Sequence, residues 1–509
     1  MTAKISRITW MATLLSTAVA TSLLSSAPAS ALVGKDTPDG AYGFTAKLNV
    51  GGQRACTGAL VDPQWVITAA SCFTIDGKPA ETGKLPVATT VTVGRTDLTT
   101  TAGSVVDASY LVPHPDRDVA MVRLARPVTG ITPVEVATTV PNAADKLTAA
   151  GFGRTRSEWV PNKQHTATFT VGSVDTKSVD LKGAADAVIC QGDAGGPALR
   201  DNNGSPELVA INSLSWQGGC LGTDPAETRT NAIGVRVDNL GEWIGKNRLA
   251  TIDQDQVRLV TTADFNKDGR PDIAAILKDG NLHAFYTAAD GTLVYGRELW
   301  RHDGTWDRKT RIFGGDFNGD GNADIAAMKG DGTFDLYPGT DGGQLGEPKR
   351  WWYDTSWASY PNIATYRAKG WDRDGLIATS TEGRLYAYPT GTDGILDGSR
   401  TEVWHDATWT KRLITTGDFN GDKLNDIAAI STAGELDSYA GKTDGKFDYG
   451  TNMWTDQTWG TYSTLMGGDF NGDGKGDIAA INGSGSLYLY AGTGNAKLAE
   501  PIAMWPTIG

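Results

Sequence analysis

Between residues 32 and 249 the apolar positions fall in short β-branched runs, such as Thr90-Val91-Thr92-Val93 and Leu208-Val209-Ala210-Ile211, broken by Gly, Asp, Asn and Pro. Runs of this kind predict strands, and their succession predicts an all-β barrel or sandwich. From 250 to 509 the pattern becomes a repeat with a period of about 51 residues. In its second copy, strands are predicted at Ile325-Ala326-Ala327-Met328, Thr333-Phe334-Asp335-Leu336-Tyr337, Arg350-Trp351-Trp352 and Ile363-Ala364-Thr365-Tyr366. Tight turns such as Lys329-Gly330-Asp331-Gly332 separate them. Four strands per repeat and five repeats predict a β-propeller of about five blades. The strand Val257-Arg258-Leu259-Val260 precedes the first loop, so the first and last segments are expected to complete one shared blade and remove the open edges. Tryptophans keep the same beat at Trp300, Trp352, Trp404, Trp454 and Trp505, with second ones at Trp306, Trp357, Trp409 and Trp459. These rings read as packing between blades; the competing reading is a set of stacking platforms for sugars.

The repeat also carries acidic loops, beginning at Asp264, Asp316, Asp418 and Asp469. In Asp316-Phe317-Asn318-Gly319-Asp320-Gly321-Asn322-Ala323-Asp324, oxygen side chains stand at positions 1, 3, 5 and 9, with glycine at 6. The four sets are Asp264, Asn266, Asp268 and Asp272; Asp316, Asn318, Asp320 and Asp324; Asp418, Asn420, Asp422 and Asp426; and Asp469, Asn471, Asp473 and Asp477. Ca²⁺ takes six to eight hard oxygen ligands, and alternating positions let one loop wrap it. About four structural Ca²⁺ sites are therefore expected; an Asp/Asn-rich turn without metal is the plainer reading. An EF-hand is excluded, because position 12 holds Ala275, Ala327, Ala429 and Ala480 rather than a bidentate Glu, and a strand pattern follows rather than a helix. A degenerate copy near Asp372-Arg373-Asp374-Gly375 has lost several ligands and is expected to bind nothing, and Lys423 takes the glycine position in the fourth loop. These repeats resemble the FG-GAP/VCBS family, found in integrin-like propellers and many secreted bacterial proteins.

Composition narrows the partners. The chain has 509 residues and a net charge of −13, which argues against nucleic acid or an anionic membrane, since phosphate binding needs a basic face. Lys4 and Arg7 precede an apolar stretch from Ile8 to Leu24, and Ala29-Ser30-Ala31 follows, so residues 1–31 read as a signal peptide and the protein as secreted. An uncleaved N-terminal anchor is the competing reading. No other segment is long and apolar enough to span a bilayer, so no membrane insertion is expected after signal removal. The four cysteines, Cys56, Cys72, Cys190 and Cys220, read as two disulfides in an oxidising compartment, with three pairings open. A zinc site lacks the close Cys-x-x-Cys spacing.

Six segments of 32–249 resemble, in order, those of the trypsin/chymotrypsin family of serine proteases. They are Leu32-Val33-Gly34; Cys56-Thr57-Gly58-Ala59-Leu60, followed by Thr68-Ala69-Ala70-Ser71-Cys72; Asp118 through Leu124; Ala150-Gly151-Phe152-Gly153; Cys190-Gln191-Gly192-Asp193-Ala194-Gly195-Gly196-Pro197; and Ser215 through Cys220 with Gly234 through Val237. The resemblance implies a double β-barrel, with disulfides Cys56–Cys72 and Cys190–Cys220. It also implies that Asp193 pairs with a mature N-terminus at Leu32, so that signal removal alone produces the inserted terminus.

The family's chemistry needs a nucleophilic hydroxyl, an imidazole base and a carboxylate that orients it. Ala194 stands where the family has serine and Ser71 where it has histidine; of the three, Asp118 remains. His114, in the loop leading to Asp118, and His165, in an inter-strand connection, are the only other histidines of this half, and neither is expected to substitute. Losing the serine or the histidine alone costs on the order of 10⁶ in turnover. The oxyanion donors, backbone N–H groups of Gly192 and Ala194 by resemblance, survive a side-chain change. Asp118 is expected to be buried and to accept hydroxyls from Ser71 and Ser215. Val188 and Ile189 leave the specificity pocket without a countercharge, and Gln217, in place of a glycine, is expected to narrow it. The strand Ser215-Trp216-Gln217 remains a place for an extended peptide to pair. The leading expectation is a secreted, non-catalytic protein that binds a protein, peptide or glycan; the alternative is an active serine-type endopeptidase with an unrecognised mechanism.

Overall fold

A computed structural model describes residues 35–184, 187–300, 303–411, 413–454 and 456–505. The signal segment and Leu32 lie outside the described residues.

The first half is two barrels. Thr45–Val50, Arg54–Asp62, Trp65–Thr68, Ala120–Leu124, Ser104–Pro113 and Thr89–Val93 close the first. Its strands alternate as a half-wrapped sheet requires: in Thr89–Val93 Thr89, Val91 and Val93 are buried, while Thr90 and Thr92 are half-buried. The second barrel runs through His165–Val174, Ser178–Gly183, Ala232–Arg236, Ser205–Ser215, Pro197–Asn202 and Lys146–Gly151, and the pairing of Lys146–Gly151 with His165–Val174 closes it. The short strand Lys35–Asp36 joins it by pairing with Thr166 and His165. Both disulfides form as the resemblance implied, Cys56–Cys72 and Cys190–Cys220.

The helix Gly241–Leu249 ends the barrels and begins the propeller. Leu249 is fully buried among residues of the first and last blades, including Ile273, Tyr295, Met466 and Trp505. The Arg248 guanidinium lies 4.0 Å above the Tyr295 ring and reaches Asp62 of the first barrel at 3.4 Å.

Five four-stranded sheets follow, each of consecutive strands, from Val257–Ala263 through Leu293–Trp300 in the first to Thr464–Gly468 through Ile502–Ala503 in the fifth. The second strand of four blades reads Asp-Ile-Ala-Ala, and Ala274, Ala275, Ala326, Ala327, Ala428, Ala429, Ala479 and Ala480 are fully buried. Such strands are covered on both faces by neighbouring sheets, so small side chains set how closely the blades approach. Trp306, Trp357, Trp409 and Trp459 are 0–2 % exposed, in line with packing between blades. The other ring is less uniform: Trp404 and Trp505 are buried, while Trp300, Trp352 and Trp454 are half-buried.

Two expectations are corrected. Among the described residues no blade is shared between the first and last segments of the propeller; each of its sheets is built from one continuous segment. Instead the seam is held by side chains and one strand-end bond: Trp505 Nε1 donates to the Ile252 carbonyl at 3.0 Å, Leu487 N to Gln254 Oε1 at 2.9 Å, and Leu293 N to the Met504 carbonyl at 2.7 Å. Accordingly Ile363–Tyr366 opens the third blade rather than closing the second. A repeat unit read from its acidic loop begins one strand late, because the loop joins the first and second strands.

Candidate functional site

The three triad positions meet between the barrels. Ser71 lies on the 3-10 turn Ala70–Phe73, Asp118 just before the strand Ala120–Leu124, and Ala194 in the loop before Pro197–Asn202. Asp118 is half-buried rather than buried. Ser71 N donates to its Oδ1 at 2.7 Å, Ser71 Oγ to Oδ2 at 3.0 Å, and a third donor, Ser213 Oγ, to Oδ2 at 2.6 Å. The expected third donor was Ser215. Ser213 and Ser215 are two apart on one strand, and the sequence motif selects the one followed by Trp216; the register irregularity between Asn212 and Leu214 selects the other. The side chains of Ser71 and Ser213 thus bond a carboxylate that no imidazole of the described residues contacts.

That shift re-assigns the pocket. Ser215 Oγ donates to the Ile189 carbonyl at 2.6 Å, tying the strand on one side to the segment carrying Val188 on the other. Val188 is 0 % and Ile189 6 % exposed, and the void beside them, which extends to His165 and Asp193, measures about 10 Å³. One water needs about that much; the void lies inside the second barrel, and none of Ser215, Trp216 or Gln217 lines it. Trp216 points outward, 54 % exposed, with the Arg229 guanidinium 3.6 Å above its ring. Gln217 sits in the following turn at φ 59° and donates its N–H to Ser215 Oγ at 3.0 Å. Gln217, expected to narrow the pocket, bonds Ser215 through its backbone, and the side chain that reaches across to Ile189 is that of Ser215. The strand facing the cleft is Ser213-Leu214-Ser215, with Leu214 62 % exposed.

The loop backbone keeps its shape. Gly192 adopts φ 98° and lies so near Gly153 that a Cβ would stand 2.7 Å from its Cα. The Ala194 carbonyl accepts Thr57 N at 2.9 Å, and among the described residues neither Gly192 N nor Ala194 N donates to a protein acceptor. Asp193 is 2 % exposed and accepts Gly153 N at 2.8 Å and Cys190 N at 3.0 Å. Its further partner is His165 Nε2 at 3.1 Å. His165 therefore lies in no connection: it is the first residue of the strand His165–Val174, 3 % exposed. The signal for this was the strand alternation that begins at His165 itself, with Ala167, Phe169 and Val171 buried on the same face. His114 turns instead to Asp116 at 2.7 Å and to the Trp243 ring at 5.1 Å.

The four acidic loops share one geometry. Asp264 accepts Asp268 N and Gly269 N at 3.1 and 2.9 Å, and the Asn266 amide faces Asp268 at 3.1 Å. Asn318–Asp320 and Asn420–Asp422 repeat that contact at 3.0 and 3.1 Å, and Asp473 N and Gly474 N bond Asp469 at 2.9 and 2.8 Å. Lys423 adopts φ 66°, close to Gly269, Gly321 and Gly474 at 80–89°, so the fourth loop keeps its turn. At position 9, Asp272, Asp324, Asp426 and Asp477 are fully buried. Burial pushes their carboxyls up to about 8, 7, 6 and 6 respectively. Among the described residues no three acidic, imidazole or thiol side chains already converge as a formed metal site. The donor set nevertheless fits a hard dication, whose charge offsets the burial of the carboxylates. The third blade does not fit. Its pairing of Tyr366 with Gly375 matches that of Ala263 with Asp272, so Arg367, Lys369, Trp371 and Gly375 occupy positions 1, 3, 5 and 9. Arg367 Nε pairs with Asp374 Oδ1 at 2.8 Å.

Comparison with known proteins agrees with both halves. Residues 31–244 match the family model Trypsin, and 264–327 and 418–480 match the model FG-GAP-like repeat. The chain carries a trypsin-family serine protease domain followed by FG-GAP-like repeats. It is similar to Trypsin-1 of Salmo salar, 26 % identical over 40 % of this chain and 86 % of that protein. It is also similar to Serine protease 56 of Homo sapiens, 27 % identical over 43 % of this chain and 38 % of that protein. To Transmembrane protease serine 11G of Rattus norvegicus it is 27 % identical, over 42 % of this chain and 54 % of that protein. The chain thus spans 38 % and 54 % of the length of the last two. Among solved structures, neuropsin, a serine protease expressed in the limbic system of mouse brain, matches 42 % of this chain and 99 % of its own at 21 % identity and TM-score 0.34.

Proposed function

We propose that this is a secreted, non-catalytic homologue of the trypsin family whose barrels and calcium-stabilised propeller bind a protein, peptide or glycan. One observation carries the reading: Ala194 and Ser71 occupy the nucleophile and base positions while two serine hydroxyls bond Asp118. The bridge from Ser215 to Ile189 supports it, because it ties the strand that would pair with substrate to the segment carrying Val188. Without a nucleophile or base, the free N–H groups of Gly192 and Ala194 retain at most the residual catalysis of an oxyanion hole, about 10³–10⁴ over water. Calcium would be held by the position 1, 3, 5 and 9 side chains of the four intact loops, supplying positive charge to buried carboxylates and fixing the turn between the first two strands of a blade. A fluorophosphonate probe tests the reading, since it labels only an activated serine: the full-length secreted protein is expected to remain unlabelled, and stoichiometric labelling would overturn it.

A further inference from the structure

The propeller axis ends in a cavity that neither the cleft nor the acidic loops account for. It measures about 620 Å³ and is walled by the first strands of all five blades, a size typical of small-molecule sites. The first strands place Leu259 opposite Ile276, Arg311 opposite Met328, Leu413 opposite Ile430 and Thr464 opposite Ile481 at one register. In the third blade Asn362 holds this place, its amide donating to the Lys411 carbonyl at 2.7 Å, and Ile363, one residue further on, also lines the cavity. Of the five residues at this register two are half-buried leucines, one is threonine, one is asparagine and one is arginine, and Ile363 beside them is half-buried.

Arg311 is half-buried, and its guanidinium donates to the Tyr360 carbonyl at 3.0 Å. Among the described residues it makes no ion pair, and burial lowers its pKa with no neighbouring carboxylate to oppose the shift. A guanidinium withdrawn from water without a countercharge is costly. Its fork of donors matches carboxylate or sulfonate oxygens. The carboxylate in this wall, Asp255, is exposed and already lies 3.8 Å from Lys278. A second arginine of the wall, Arg258, is spent on the carbonyls of Trp306 and Lys309 at 2.6 and 3.1 Å. The cavity floor is shut by threonines, with Thr365 Oγ1 donating to the Gly314 carbonyl and Thr416 Oγ1 to the Thr365 carbonyl at 2.9 and 2.6 Å. Beyond that floor the opposite mouth is lined by Asp264, Asp316, Asp418 and Asp469 together with Lys267, Arg367 and Lys475, each of which already faces a carboxylate.

We propose that the axial cavity binds one small organic anion with an apolar body, its carboxylate or sulfonate on Arg311 and its body against Leu259, Ile363 and Leu413. The site is independent of the trypsin-fold cleft.

Titration of the full-length protein with 8-anilinonaphthalene-1-sulfonate, followed by fluorescence, provides the test, with octanoate and octanol as competitors. The expected result is saturable binding of one equivalent, displaced by octanoate at least tenfold more effectively than by octanol. Arg311→Leu is expected to weaken both anions at least tenfold; leucine already stands at this register in two blades, so the fold tolerates it. Ile363→Trp, which fills the cavity and keeps the charge, is expected to weaken binding as well. No saturable binding, equal competition by octanol, or full affinity in Arg311→Leu would each overturn the proposal.

Discussion

Ser215 Oγ and the Ile189 carbonyl lie 2.6 Å apart, a bond that ties the strand carrying Ser213 and Ser215 to the segment carrying Val188. On the reading proposed above, this bridge is expected to obstruct a bulky substrate side chain, so a serine at 194 and a histidine at 71 are not expected to suffice for proteolysis. The variant Ser71→His with Ala194→Ser is expected to react with a small fluorophosphonate yet leave peptide substrates with bulky side chains uncut. Adding Ser215→Gly is expected to raise peptide turnover at least tenfold over the double variant. Turnover by the double variant equal to that of the triple would show that Ser215 closes nothing.

His165 is predicted to be structural. His165→Leu removes a partner from the fully buried Asp193 carboxylate, a loss of about 1–3 kcal/mol or more for a charged group. Urea denaturation followed by tryptophan fluorescence reads it; an unchanged midpoint would mean that Asp193 is satisfied by another donor.

Calcium removal should loosen the second half. Equilibrium dialysis is expected to find about four Ca²⁺ per chain, and excess chelator to lower the melting temperature of the propeller, since a ligand that binds only the folded state stabilises it by mass action. Asp477→Ala is expected to remove one equivalent. Gly375→Asp in the third blade, where Arg367 occupies position 1, is expected to add none. A melting curve indifferent to chelator would count against structural calcium.

A buried charge cluster distinguishes the even blades. Lys309, 4 % exposed, reaches Asp335 at 2.8 Å beside Tyr337, and Lys411 faces Asp437 at 3.9 Å beside Tyr439. In blades three and five the same places hold Tyr360, Tyr386 and Tyr388, and Tyr462, Tyr488 and Tyr490, with hydroxyls of the outer pairs in contact. Asp335→Ala strands a buried ammonium and is expected to cost about 3–5 kcal/mol. The double change Lys309→Tyr with Asp335→Tyr copies the other solution and is expected to recover most of that loss in the same denaturation assay.

The domain junction carries a pH dependence. His283 is 8 % exposed, with Nδ1 3.1 Å from the Tyr295 hydroxyl, and burial lowers its pKa from the usual 6.5. The unfolded chain then binds a proton that the folded one refuses. Stability is full above about pH 6.5 and falls as pH drops below it toward the lowered folded value. Replacing His283 with Phe is expected to flatten the decline in melting temperature between pH 7 and 5; an identical slope in the variant would exclude the residue as its source.

Much of the fold was legible because it is written in repetition. Turn glycines, Asp-Ile-Ala-Ala strands and paired tryptophans recur at fixed intervals, and six trypsin-like segments stand in order. What escaped the sequence depended on register and on long-range contact. The local motif points to Ser215, which precedes Trp216; a one-residue register shift between Asn212 and Leu214 accompanies the placement of Ser213 on Asp118. The His165–Asp193 pair joins residues 28 apart in sequence, and the seam from Ile252 to Trp505 joins residues 253 apart. Contacts at such separation leave no periodic trace.

Because every blade is a continuous segment, the ring does not lock by exchanging a strand, and its seam waits until Trp505 has been made. During synthesis the barrels and four blades emerge before Trp505 is available to meet Ile252. Leu249, on the helix that finishes the barrels, offers the apolar surface on which the fifth blade lands. The trypsin-fold half thus supplies the abutment against which the propeller closes, and circular order in the second domain depends on a helix that belongs to the first.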